Sequence, residues 1–136
     1  MISLRPTFCF DVDGTICAIK EDTQSYYDVE PFLDIIERIN YLYQDNHIIL
    51  HTARGMKTHG GDLASINRFV KPILEEWLRK HGVKYHELVM GKPWGHDVRY
   101  IDDRSMTPDV FMFCESANLP YDDITNSIRL GIPLRK

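Results

Sequence analysis

Apolar residues along the chain fall into short continuous runs and into longer stretches with three- and four-residue spacing. Thr7-Phe8-Cys9-Phe10-Asp11-Val12-Asp13 reads as an apolar strand ending in acids, and Gly14-Thr15 then turns the chain. Pro31 opens a helical pattern in which Phe32, Ile35, Ile36, Ile39, Leu42 and Tyr43 recur on one face. His47-Ile48-Ile49-Leu50-His51-Thr52 is a second short strand. Residues 55–61 are polar and carry three glycines, which predicts a loop. Asp62 is placed to cap a helix whose stripe runs through Leu63, Ile66, Phe69, Val70, Ile73, Leu74, Trp77 and Leu78. Pro72 should kink or split it, and Gly82 should stop it. Glu87-Leu88-Val89-Met90 reads as a third strand. Val98-Arg99-Tyr100-Ile101, running into Asp102-Asp103, reads as a fourth, with one or two short helices expected from Pro108.

This order predicts an α/β fold, a mostly parallel sheet with helices on its faces. The 136 residues fit a single domain over 1–136. Residues 14–30 leave room for a small flap only. Ligands of open α/β sheets bind at the C-terminal edge of the strands.

Composition narrows the function. Hydrophobic residues make up 43% and charged residues 26%, as in an ordinary soluble protein, and the net charge is −4. Lys and Arg supply non-specific affinity for phosphate backbones, so this balance argues against nucleic acid as a partner. No apolar run approaches a membrane span, and residues 1–13 meet acids too early for a signal peptide. Cys9, Cys17 and Cys114 form no CxxC pair; they read as small buried hydrophobes in a reducing compartment. A cytoplasmic protein is expected.

The polar residues supply the chemistry. Asp11 and Asp13 end strand one, Thr52 ends strand two, Lys92 follows strand three, and Asp102 and Asp103 end the expected strand four. All fall at one sheet edge, which suits phosphoryl transfer. Crowded carboxylates need a cation, and hard oxygen donors favour Mg²⁺. A carboxylate beside such a metal can attack phosphorus. An acid two residues later can protonate the leaving oxygen and then activate water. The Thr52 hydroxyl and Lys92 ammonium can hold phosphoryl oxygens.

Asp11-Val12-Asp13-Gly14-Thr15 resembles the first motif of the haloacid-dehalogenase (HAD) superfamily of phosphatases. The resemblance implies a Rossmann-like three-layer α/β/α core without a cap domain. It implies Asp11 as nucleophile and Asp13 as general acid/base, the Asp13 carbonyl also touching Mg²⁺. Thr52 matches the second motif, Lys92 the third, and Asp102-Asp103 the acidic fourth. It favours Asp103 as the direct metal ligand with Asp102 in support, a choice that spacing leaves open.

His51-Thr52-Ala53-Arg54-Gly55-Met56, Ile66-Asn67, Glu76-Trp77-Leu78, Gly91-Lys92-Pro93-Trp94-Gly95-His96-Asp97 and Ile101-Asp102-Asp103-Arg104 are similar to the small HAD-type phosphatases of bacterial capsule biosynthesis. The likeness covers roughly residues 10–109. It implies a hydrolase for a small phosphate ester, a sugar phosphate or glycan precursor. An uncapped site admits bulky substrates, or leaves a second copy of the chain to close it.

Each signal has a plainer alternative. Asp-x-Asp-Gly also begins a calcium loop, but the glycine is fourth and position twelve is Asp22 rather than glutamate. Arg54, Lys57 and His59 are candidates to grip a second anionic group, or form a solvated polar loop. Trp94 and His96 can stack on a sugar or base; Trp94 can equally pack beneath its loop. Arg104 can pair with the acidic cluster. Tyr26, Tyr27, Tyr41 and Tyr43 read as packing. No GxSxG elbow and no GxxxxGK[ST] loop occurs. Two other functions fit some of these features: a polynucleotide end phosphatase and a phospho-acceptor switch. Asp13 separates the last, since a switch has no acid there to speed hydrolysis.

Overall fold

The computed structural model describes residues 4–116. Its contacts cluster into two units, Met1–His96 and Asp97–Lys136.

In the first unit three parallel strands form a sheet of order β1-β2-β3: β1 Thr7–Phe10, β2 His47–Thr52 and β3 Glu87–Met90. The register pairs Phe10 with Leu50 and Thr52 with Met90, so the three C-terminal ends lie side by side. In β2 the pleat buries Ile48, Leu50 and Thr52 and leaves the alternate residues half-buried. The α/β class is therefore present.

Helix α1 (Leu33–Leu42) follows the predicted stripe and buries Ile35, Ile36, Ile39 and Leu42. Asn40 ties it to a distant loop: its amide donates to the Gly82 carbonyl at 2.9 Å and accepts from the Lys84 N–H at 2.8 Å. The Asp62 side chain caps the next helix, accepting from the Ala64 N–H at 3.2 Å and the Ser65 hydroxyl at 2.7 Å. That helix is split as Pro72 requires. A short α2 (Leu63–Ser65) passes into a π turn, Ile66–Val70, before α3 (Lys71–Lys80), with Pro72 in its first turn. Pro72 has no N–H to return to the preceding turn, which fits the change of hydrogen-bond register there. Leu74, Trp77 and Leu78 of α3 are buried, and the Trp77 indole N–H donates to the Val29 carbonyl at 2.9 Å. Gly82 stops the helix at φ +66°. Its N–H reaches the Arg79 carbonyl and the Val83 N–H reaches the Leu78 carbonyl, a Schellman closure.

Residues 14–30 form the expected flap, with a single 3₁₀ turn at Tyr26–Asp28. Cys17 anchors it, bridging to Asp13 on one side and Pro31 on the other. The Ala18 N–H donates to the Glu30 carbonyl at 2.9 Å, and the Phe32 N–H donates to the Ile16 carbonyl at 2.8 Å.

In the second unit the expected fourth strand is not formed: residues 98–102 are irregular among the described residues. Ile101 is 96% exposed and Tyr100 49%, so this run lacks the burial that would hold it extended. Helix α4 (Pro108–Ser116) starts where expected. Thr107 caps it, Oγ1 accepting from the Val110 N–H at 3.3 Å. Expectations beyond residue 116 lie outside the described residues. Cys17 and Cys114 are buried as predicted, but Cys9 is exposed. The pleat of edge strand β1 turns Cys9 away from the face that buries Phe10.

Candidate functional site

The first unit brings Asp11, Asp13, Thr52, Arg54 and Lys92 to the C-terminal edge of the sheet. Asp11 leaves β1 directly after Phe10, and Lys92 follows β3 by two residues. The Lys92 N–H donates to the Thr52 carbonyl at 3.0 Å, which fixes the third loop against the second strand. Gly91 makes that turn at φ +89°, and a Cβ there would lie 2.6 Å from Leu63 Cδ2. Only glycine fits such an approach unstrained.

The two aspartates of the first motif differ in their surroundings. One Asp11 oxygen lies 3.4 Å from Lys92 Nζ, and the other accepts from the Thr15 hydroxyl at 3.4 Å. Both contacts are long, and the Asp11 side chain is 35% exposed. Asp13 is gripped. Arg54 Nη2 reaches Oδ1 at 2.7 Å and Arg54 Nε reaches Oδ2 at 3.1 Å. This two-pronged geometry is the strong form of the arginine–carboxylate pair.

Arg54 is held from several sides. Its backbone N–H donates to the Thr52 hydroxyl at 3.0 Å, and its guanidinium carbon lies 4.2 Å from the centre of the Tyr26 ring. The Arg54 side chain is 2% exposed. Its Nη1, among the described residues, is a buried side-chain nitrogen without a hydrogen-bond partner. Cys17 Sγ lies 3.6 Å from Asp13 Oδ1 and 3.8 Å from Arg54 Nη2.

Three neighbouring groups have altered ionisation. Burial, reinforced by Asp13, pushes the Cys17 thiol up to about 12, so it stays protonated. Burial and then Asp13 raise the Tyr26 phenol against the pull of Arg54. Burial and then Lys92 lower His51, opposed by Asp11, which keeps that ring neutral near pH 7.

The other candidates are placed as follows. Lys57 is exposed and His59 half-buried in the turn after β2, and Trp94 is 47% exposed. Thr58 and His59 share a pocket with Tyr26, Arg54, Phe69 and Ile73. Asp102 and Asp103 are exposed in the second unit, where Asp102 Oδ1 accepts from the Arg104 N–H at 2.9 Å.

Tyr26 and Cys17 were not legible as site residues. They reach Arg54 and Asp13 through the fold of the flap, and no local motif marks them. His51 could have been found, since it adjoins Thr52 on the same strand.

For a divalent cation, the donor chemistry of the first unit fits. Asp11 offers hard oxygens whose present contacts are long, whereas both carboxylate oxygens of Asp13 are occupied, which leaves its backbone carbonyl as the donor. Among the described residues no group of three or more His, Cys, Asp or Glu side chains is gathered for a metal.

The chain is similar to a crystal structure from Vibrio cholerae, solved as a structural-genomics target and carrying no functional description. The TM-score is 0.79 at 37% sequence identity, over 93% of this chain and 98% of that one. No protein-family model and no curated protein matches the chain.

Proposed function

The chain belongs to one family with that Vibrio cholerae protein, and we propose that it is a Mg²⁺-dependent phosphomonoesterase working through an aspartyl-phosphate. The observation that carries this reading is the meeting of Asp11, Thr52 and Lys92 at the ends of three parallel strands, with Lys92 Nζ 3.4 Å from Asp11. The Asp-x-Asp-Gly-Thr run supports a HAD-type, three-layer and capless core. The wider resemblance supports a sugar phosphate or glycan precursor as substrate, and the sparse cysteines without a CxxC pair support the cytoplasm as the place of action. Among the described residues no helix is long and apolar enough to cross a membrane.

In the first step an Asp11 oxygen attacks phosphorus and the bond to the leaving oxygen breaks. Asp13 gives that oxygen its proton. In the second step Asp13 takes a proton from water, the water oxygen attacks phosphorus, and the Asp11–phosphorus bond breaks to release phosphate. Lys92 and Thr52 hold phosphoryl oxygens as charge develops. Asp11 and the Asp13 carbonyl would hold Mg²⁺ in the first unit, and the resemblance implies Asp102 and Asp103 as further ligands. When bound, the ion neutralises the incoming dianion. Asp13 must free one oxygen from Arg54 to take part, since both are engaged at rest.

The test is phosphate release from a panel of phosphomonoesters with Mg²⁺. Turnover lost in Asp11→Asn supports the reading. A panel without any turnover, at substrate concentrations up to the millimolar range, overturns it.

A further inference from the structure

We propose that the pocket between the flap and the turn after β2 is the leaving-group subsite, and that it takes a planar, unsaturated ring. The inference rests on the phosphomonoesterase reading and sets a ring-bearing phosphate ester in place of the sugar or glycan precursor as its substrate.

The pocket offers about 120 Å³ and opens to solvent. That is near the roughly 150 Å³ of a cavity that takes a benzene ring. Its position follows from Arg54, which lines the pocket and also grips Asp13. The group expected to protonate the leaving oxygen is thus one side chain from the pocket wall.

The walls choose the ring. Tyr26 lies over the Arg54 guanidinium, and His59 and Phe69 stack with ring centres 6.2 Å apart and planes within 18°. Ile73 adds an aliphatic wall. Phe69 is 55% exposed, with the Arg68 guanidinium carbon 5.1 Å from its ring centre. Hydrogen-bonding capacity is scarce. Arg54 spends Nε and Nη2 on Asp13, and its Nη1 is sealed from solvent. Thr58, His59 and the Tyr26 hydroxyl supply the remaining polar side-chain atoms. A polyol entering here would strand several hydroxyls against apolar walls, each at a cost, whereas a planar ring brings fewer polar groups, a phenyl none, and gains stacking.

The test has two arms. In the first, kcat and KM are measured with Mg²⁺ for phenyl phosphate, a nucleoside monophosphate, a hexose phosphate and glycerol phosphate. The two ring substrates should show the lower KM, and which of them is lower tells an aryl group from a base. Phe69→Ala, and Thr58→Trp to fill the pocket, should each raise KM about tenfold for ring substrates and leave glycerol phosphate unchanged. Equal KM across the panel, a hexose phosphate preference, or the same shift for every substrate overturns the inference.

The second arm needs no turnover. Phenylphosphonate, but not methylphosphonate, should shift the NMR signals of the His59 and Phe69 rings. If nothing is turned over and phenylphosphonate still shifts them, the pocket binds a ring but its leaving-group role falls with the phosphatase reading. If esters are turned over and phenylphosphonate leaves both rings unshifted, the subsite falls alone.

Discussion

Arg54 and Asp13, 41 residues apart, are joined by two hydrogen bonds of 2.7 and 3.1 Å, so the loop after β1 and the loop after β2 move as one. A lysine keeps the charge but loses the fork. Arg54→Lys should destabilise the fold by about 1–3 kcal/mol, the usual cost of leaving a buried polar partner unsatisfied. Asp13 is a quarter exposed, which argues for the lower half of that range. Urea unfolding measures it, and an unchanged midpoint would show that the fork carries no stability.

Activity should need a hard divalent ion. Chelator should abolish phosphate release and added Mg²⁺ should restore it. Asp103→Asn should raise the Mg²⁺ concentration for half-maximal rate; if Asp102→Asn does so instead, the two acids exchange roles.

Asp11 and Asp13 should fail differently. Asp11→Asn should remove turnover and leave no phosphorylated protein. Asp13→Asn should slow both steps, by roughly 10²–10⁴-fold, with the first step partly rescued by an aryl phosphate. A phosphate adduct should then accumulate on the peptide containing Asp11, read by mass spectrometry. Label on another residue would contradict the assignment. An asparagine keeps one acceptor for Arg54, so this variant should remain folded.

Stability should rise with pH just below 6.5. His86 Nδ1 accepts the Ile48 N–H at 3.0 Å, which only the unprotonated nitrogen can do. Burial, then His47 and Arg5, lower its pKa below the ordinary 6.5, with Glu87 opposing. The unfolded chain therefore binds the proton first, and the stabilisation present above 6.5 is lost as pH falls through the folded value. Glu87, lowered chiefly by its bond to His47, adds a second loss below 4.5. Melting temperatures between pH 4 and 8 test this, and His86→Asn, whose amide oxygen can replace Nδ1, should flatten the upper step.

Gly91→Ala should cost roughly 1–2 kcal/mol for the left-handed backbone alone, with more for the 2.6 Å approach to Leu63. Adding Leu63→Ala should recover the second part only. A cost that vanishes entirely in the double variant would mean that φ +89° carries no strain.

The sheet and helices were legible wherever a local rule operates. The stripe of α1, the Asp62 cap, the break at Pro72 and the stop at Gly82 each depend on neighbours within five residues. The segment at 98–101 was misread because its apolar residues carry strand propensity, which acts only when a partner and a buried face are supplied. Within the site, Asp11, Thr52 and Lys92 could be placed from strand ends. Arg54 could not: its sequence context suits a solvated loop as well as a buried fork. What buries it is Tyr26, 28 positions earlier, delivered by the flap.

Cys17 gives the flap an unusual property. The backbone beside it meets the residues next to Pro31, so residues 18–30 depart from and return to almost one point. Glu21, Asp22, Thr23 and Gln24 at the far end are exposed. The entropic penalty for lengthening a closed loop grows only with the logarithm of its length. This place therefore works as a socket: a foreign module spliced between Asp22 and Thr23 inherits ends already held together. A new specificity could be grafted here without redesigning the sheet beneath.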